Sequence, residues 1–255
     1  IVHVMGERMA RTVAEFDGRA AALAAAFWPG PLSLVLPRID GVPDLVTAGL
    51  GTVAVRAPAQ PVMQRLLETA DMPLAAPSAN PFGYVSPTRA QHVRDSLGER
   101  VPWILDGGPC AYGLESTIIS LAGAEPVLLR PGPVSIEALA DCLGCRVQQP
   151  HSQPQPDAPQ TSPGMLTRHY SPACALSLIA HGEQPPERAL DDPATAWVSL
   201  SRPQSIGSSQ RALQLWLSEQ GSLEEAAREL FTLMRKLDAD PSIERIFFEL
   251  APEKG

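Results

Sequence analysis

The apolar residues of this chain change period several times. Residues 32–37 (LSLVLP) form a short continuous apolar run of strand length, and 52–56 (TVAVR) alternates with the period of two of a half-buried strand. Residues 61–69 (PVMQRLLET) space their apolar positions as one helix face, and 74–76 re-enter a strand. Thr88, after Pro87, is expected to cap a helix. Residues 103–105, 116–120 and 127–130 read as further short strands, and Ser135 opens a capped helix. The Ala-rich run 20–28 stops at Pro29-Gly30 and reads as a helix end. Farther on, 175–180, 195–200 and 243–250 read as strands. Residues 222–237 form an amphipathic helix with Ser222 as N-cap and Glu225 three positions on, the pattern of a capping box. Strands and helices mixed in this irregular order predict an α/β protein: a twisted mixed sheet with helices, followed by a smaller, Rossmann-like open α/β domain with parallel strands.

Between these halves, 150–163 (PHSQPQPDAPQTSP) has no apolar periodicity and reads as an extended, polyproline-leaning linker. The expected division is therefore a first domain over 1–145, a linker over 146–173 and a second domain over 174–255. Ile1-Val2-His3-Val4-Met5 looks like the middle of a strand, and Ile246 to Leu250 like one that stops early, so the chain is expected to be a piece of a longer protein with both ends missing. The opening run lacks a charged leader region and a cleavage site and is not expected to be a signal peptide. No stretch reaches the roughly 18–20 apolar residues of a membrane span.

Composition narrows the function classes. Hydrophobic content of 44% and charged content of 19% suit a globular protein with a real core. A net charge of −8 argues against a general nucleic-acid coat, while a local basic groove stays open. The four cysteines, Cys110, Cys142, Cys145 and Cys174, are too few for a disulfide scaffold, and free thiols in a reducing cytoplasm are expected. Cys142 and Cys145 form a CxxC, but His151 is the only further zinc ligand nearby, so no metal ligand is nominated.

Three features carry candidate chemistry. Residues 76–83 (APSANPFG), followed by Ser86-Pro87-Thr88, run from a strand end into a loop of small and hydroxyl residues whose N–H groups can face a ligand. Residues 106–110 (DGGPC) lead to 113–118 (GLESTI), where glycines permit close backbone approach to an anion, although the Gly-Lys-Ser/Thr of a P-loop is absent. Alone, each also reads as an ordinary turn. Arg56 and Arg130 end apolar runs before proline-containing turns, which suits bidentate contact with carboxylate or phosphate. Both guanidiniums are expected to face one shared anion site.

The runs FWPGPLSLVL, TVAVRAP, APSANPFGYVSPT, DGGPCAYGLESTII and LLRPG, in this order, resemble the YrdC-like threonylcarbamoyl-AMP synthases, and SPGMLTRHYSP (162–172) is similar to the segment that joins two-domain members to their C-terminal domain. The resemblance implies an enzyme that carboxylates the amine of L-threonine with bicarbonate and adenylates the product with ATP. It serves threonylcarbamoyladenosine modification of tRNA in the cytoplasm, with no membrane association. By the same resemblance His3, Arg56, Ala76 (through its backbone) and Ser116 would hold threonine. Thr52, Ser78, Ser86 and Arg130 would hold ATP, and Tyr170 would close over the nucleotide as a lid. Mg²⁺ is implied with the ATP, held by phosphates and water. Partner proteins of tRNA modification are implied, and weak RNA binding is possible. Family members also carry a Lys-x-Arg phosphate motif; here the only lysines are Lys236 and Lys254, so that motif is expected upstream, and whether this stretch alone is active stays open. The alternatives are a non-catalytic double-stranded RNA or tRNA-binding module of the same fold, and a YrdC-like carbamoyl-transfer domain acting on another acceptor.

Overall fold

The computed structural model describes residues 1–149, 171–203 and 211–252. The 150–163 linker and the lid residue Tyr170 lie outside the described residues. In chain order the strands are β1 (Val2–His3), β2 (Leu32–Pro37), β3 (Thr52–Arg56), β4 (Leu74–Ala75), β5 (Thr117–Ser120), β6 (Val127–Arg130), β7 (Ala175–Ile179), β8 (Thr195–Ser201), β9 (Leu213–Ser218) and β10 (Arg245–Glu249). The helices are α1 (Glu7–Ala10), α2 (Gly18–Phe27), α3 (Asp44–Thr47), α4 (Pro61–Ala70), α5 (Ala90–Leu97), α6 (Ile136–Leu143), α7 (Glu187–Leu190) and α8 (Leu223–Asp238).

The chain forms two compact units. The first contains Ile1–Ser78, Trp103–Gly107 and residues 115–149; the second contains Ala79–Pro102, Gly108–Leu114 and the described C-terminal residues. Residues 79–102 and 108–114, which a linear reading assigns to the first domain, therefore associate with the second unit. The cause is visible in their side chains. These stretches add no strand to the first sheet, α5 buries none of its own residues, and Val85 and Leu114 join the apolar cluster of the second unit.

The first unit is a six-stranded mixed sheet in the order β4-β1-β3-β2-β5-β6. Its register separates two faces. Val2 pairs with Val55, Leu34 with Val55 and with Ile119, Leu36 with Val53, and Ile119 with Leu128. These residues share one core with Ala20, Leu23 and Ala24 of α2 and Leu139 of α6. Because strand side chains alternate, the opposite face carries His3, Ser33, Val35, Thr52, Ala54, Arg56 and Ile118. One irregularity matters. Ile119 pairs with Leu128 but Ile118 pairs with Arg130, so a bulge at Leu129 turns Arg130 onto the Ile118 face.

The second unit holds a four-stranded, all-parallel sheet in the order β7-β10-β8-β9. One face (Ala196, Val198, Leu200, Ile246, Phe248) packs on Ala226, Phe231, Met234 and Leu237 of α8.

Four local expectations change. Residues 103–105 form no strand, and Trp103 and Leu105 are exposed, so their apolar character reflects no sheet burial. Thr88 is not the cap of α5: Arg89 occupies that position, and the Thr88 hydroxyl lies 2.9 Å from that of Thr232. Ser222 does cap α8, accepting from Glu225 N, but the return half of the capping box is relayed. Ser218 Oγ donates to Glu225 Oε2 at 2.5 Å and accepts from Ser222 N at 2.9 Å. Strand β9 is an addition, found in LQLWLS.

Since Leu34 is fully buried at the centre of the first core, Leu34→Ala is expected to destabilise the fold by about 2–5 kcal/mol through lost transfer energy and the cavity left behind. Leu45→Ala, at a side chain 96% exposed, is expected to change stability by less than about 0.5 kcal/mol. Urea denaturation of the two variants beside the parent measures both.

Candidate active site

The face of the first sheet opposite its core gathers polar residues at one strand end. His3 and Arg56 are partners on the adjacent parallel strands β1 and β3. Arg56 Nε donates to Gly30 O at 2.9 Å, which fixes the guanidinium against the turn that leads into β2. His3 Nδ1 lies 3.3 Å from Leu74 O. A carbonyl only accepts, so Nδ1 carries the hydrogen and the neutral ring presents Nε2 as an acceptor. Burial first, and then the Arg56 guanidinium, push the His3 pKa down to about 4.

On the next strand, β2, Ser33 stands opposite Arg56, and its Oγ lies 2.8 Å from that of Ser116, both buried. Ser116 is held from its other side by Arg130. Arg130 Nε and Nη2 donate to Ser116 O at 3.0 and 2.9 Å, Nη2 donates to Ser116 Oγ at 3.1 Å, and Nη1 donates to the Glu115 carboxylate. Arg130 is buried, and this carboxylate supplies its countercharge. Gly132 makes the arrangement sterically possible: a Cβ there would stand 2.5 Å from Thr117 N and 2.7 Å from Glu115 O. On the core side, the Thr117 hydroxyl donates to Val134 O and accepts from Val134 N, both at 2.9 Å, which locks the turn after β6 to the start of β5.

The expected site residues therefore fall into groups. His3, Arg56, Ser116 and Arg130 stand at one end of one sheet face. Arg56 and Arg130 start from strands three spacings apart, about 14 Å, but reach inward on the same face: Arg56 to Gly30 O ahead of β2 and Arg130 to Ser116 O ahead of the adjacent β5. Thr52 lies on the same face as Arg56 but at the other end of β3, about 13 Å along the strand. Ala76 N donates to Ile1 O at 3.1 Å, so a main-chain contact from Ala76 to a ligand falls to its carbonyl. Ser78 is exposed at the end of the first unit's opening stretch, whereas Ser86 is buried in the second unit.

Ser33, Glu115 as the partner of Arg130, and Gly132 are additions to the expected set. Ser33 carries a faint signal, a lone hydroxyl within the apolar run of β2. Among the described residues no group of three or more His, Cys, Asp or Glu is placed to hold a metal ion. The thiols of Cys142 and Cys145 are free, and Cys142 Sγ lies 3.6 Å from Ala22 O. No helix among the described residues is long and apolar enough to cross a membrane.

Comparison with known proteins gives this arrangement a family. A model of the Sua5, YciO and YrdC proteins, described as telomere recombination, matches residues 1–132. A second, described as the threonylcarbamoyl-AMP synthase C-terminal domain, matches residues 134–255. The threonylcarbamoyl-AMP synthase of Pyrococcus abyssi is 34% identical over 259 residues, which cover 100% of this chain and 75% of that protein. The Bacillus subtilis threonylcarbamoyl-AMP synthase is 43% identical over 171 residues, covering 67% of this chain and 48% of the relative. The crystal structure of the P. abyssi protein complexed with L-threonine has a TM-score of 0.84 to this one at 33% identity, covering 100% of this chain and 75% of the other. The chain thus spans three quarters of one relative and about half of the other. Matched by both domain models and by a relative aligned along its whole length, this chain belongs to the threonylcarbamoyl-AMP synthase family.

Proposed function

We propose that this chain forms the greater part of an L-threonylcarbamoyladenylate synthase, a nucleotidyltransferase of tRNA threonylcarbamoyladenosine modification working in the cytoplasm. The threonine amine attacks the carbon of bicarbonate, a C–N bond forms, and water leaves. A carbamate oxygen then attacks the α-phosphorus of ATP, and the bond to pyrophosphate breaks. Magnesium enters as the ATP complex. The observation that carries this reading is the convergence of two arginines from β3 and β6 on one sheet face: Arg56 is held at Gly30 O and Arg130 at Ser116 O, ahead of the adjacent strands β2 and β5, which suits a ligand with anionic groups. A threonine carbamate in line with a nucleotide is such a ligand. The P. abyssi relative has been crystallised with L-threonine, which supports an amino-acid end.

In this reading His3, Arg56, Ser116 and the Ala76 carbonyl hold threonine, with Arg56 facing its carboxylate. The neutral His3 ring accepts from the hydroxyl or the amine. Thr52, Ser78, Ser86 and Tyr170 serve the nucleotide, whose developing negative charge calls for fixed donors more than for a general base. Arg130 keeps its nucleotide assignment and also bears on the threonine end, because it fixes Ser116 while its own charge is matched by Glu115. Accessory proteins of tRNA modification, and tRNA itself, are the proposed downstream partners.

In the full-length protein, Arg56→Ala is expected to weaken threonine binding by about 1.5–3 kcal/mol, the worth of a charge-assisted bond, with a smaller effect on ATP. Calorimetric titration of each ligand tests it; an unchanged threonine affinity removes Arg56 from the site. Ser116→Ala is expected to cost threonine binding about 0.5–1.5 kcal/mol, while Arg130→Ala weakens threonine and ATP together. The double variant is expected to fall short of additivity by about 0.5–3 kcal/mol, because Arg130 acts partly through Ser116. Additive losses would separate the two residues.

His3 gives a pH signature. Its folded-state pKa of about 4 lies below the unfolded value of 6.5, so protonation favours the unfolded chain. The stability contributed by the neutral ring is complete above pH 6.5 and is lost as pH falls from there towards 4. At about 1.4 kcal/mol per pKa unit the loss is on the order of 3 kcal/mol. An NMR titration of the His3 ring in the parent, with denaturation of His3→Gln across the same range, measures the shift and its share of the pH dependence.

A further inference from the structure

Helix α8 belongs to the C-terminal stretch, yet the second-unit portions of both loops singled out for anion binding, Tyr84 to Thr88 and Ala111 to Gly113, lie on it. Arg235 is the centre of this contact. Its guanidinium is buried, and it donates through Nε to Ser86 O at 3.3 Å, through Nη1 to Ser96 Oγ at 2.8 Å and through Nη2 to Val85 O. The same group stacks on the Tyr84 ring, 4.8 Å from its centroid. One turn on, Asp238 accepts from Tyr84 Oη at 2.7 Å and from Cys174 N at 2.9 Å. One turn back, the Thr232 hydroxyl meets that of Thr88. The loop is also tied to itself, with Asn80 Nδ2 donating to Pro81 O and Tyr84 O.

The second loop lies on the N-terminal half of the same helix. Gly113 has φ +71 and passes so close that a Cβ would stand 2.3 Å from Arg228 Cα and 2.5 Å from Ala227 O. Arg228 Nε donates to Ala111 O at 3.2 Å, and Cys110 N donates to Thr88 O at 2.9 Å, which joins one loop to the other. Burial of the Tyr84 hydroxyl beside the Asp238 carboxylate raises its pKa to about 12, so the phenol stays a donor throughout the physiological range.

We propose that α8 is a positioning element for ATP, in which Arg235, by gripping the Val85 and Ser86 carbonyls, sets the loop that presents Ser86 to the nucleotide. The C-terminal domain thereby organises the nucleotide half of the reaction. Lysine cannot replace Arg235, because one ammonium cannot span two carbonyls, a hydroxyl and an aromatic face at fixed angles. The inference rests on the nucleotide role proposed above for Ser86.

The test uses the full-length protein, with Mg-ATP and threonine titrated separately and the KM of each measured. Arg235→Lys and Arg235→Ala are expected to raise the ATP KM and Kd at least about tenfold, while the threonine values stay within about twofold. Proportional loss of both ligands with a lowered melting temperature would reduce Arg235 to a general structural role and overturn the proposal. So would unchanged ATP binding in a folded variant. Should Arg235→Ala fail to fold, Ser96→Ala removes a single acceptor of the fork and is expected to weaken ATP about two- to fivefold with threonine unchanged; no change there also overturns it. A parent protein that binds threonine but no ATP would instead defeat the reading of the site as a synthase.

Discussion

The buried guanidinium of Arg130 is the constraint around which the first unit's site is arranged. A charge removed from water must find matched acceptors, and Arg130 finds them in the Ser116 carbonyl, the Ser116 hydroxyl and the Glu115 carboxylate. That requirement fixes the turn ahead of β5 and sets the Ser116 hydroxyl against Ser33 on β2. It also explains Gly132, since a side chain there would enter the space between the Arg130 turn and Glu115–Thr117. The residues assigned to the two ends of the ligand are thus not independent parts. Ser116 is oriented by the arginine, and the arginine is held in place by the serine it orients.

Much of this was legible in the sequence. The apolar run of β2, the alternation of β3 and the cap of α6 at Ser135 follow from local pattern, and each is found at or near its expected bounds. The parallel C-terminal sheet follows from the spacing of strands and helix. The placement of Arg130 did not. Strict alternation through VLLR puts Arg130 on the same face as Leu128, towards the core, and only the bulge at Leu129 reverses it. A bulge is settled by pairing across strands, which no local period encodes.

The same limit explains the loops. Residues 79–102 and 108–114 look continuous with the first domain because they sit between its strands in the sequence. Their association is decided by Val85, Leu114 and the fork of Arg235, whose acceptors are as much as 150 positions away. Arg235 itself reads as an ordinary basic residue in the last turn of an amphipathic helix, where a favourable interaction with the helix dipole would account for it. Its burial, and the Tyr84 ring beneath it, are what distinguish it from a solvated charge.

Electrostatics ties these parts to a chain of net charge −8 that is asked to hold anions. Such a chain needs positive potential confined to the site, and desolvation concentrates it there. At the Arg56 end burial, reinforced by the guanidinium, keeps His3 neutral, which leaves a single cationic side chain within that strand pair. A charged imidazole would add attraction for a carboxylate but would lose the Nε2 lone pair, and with it the acceptor that a threonine hydroxyl or amine requires. Carboxylation of the amine demands that its lone pair be available. An acceptor beside the amine helps that demand, whereas a second cationic donor would compete for the carboxylate without relieving the amine of its proton. The depressed pKa of His3 is therefore consistent with the chemistry proposed for this end of the site, and it arises from the same register that places His3 beside Arg56 on the sheet.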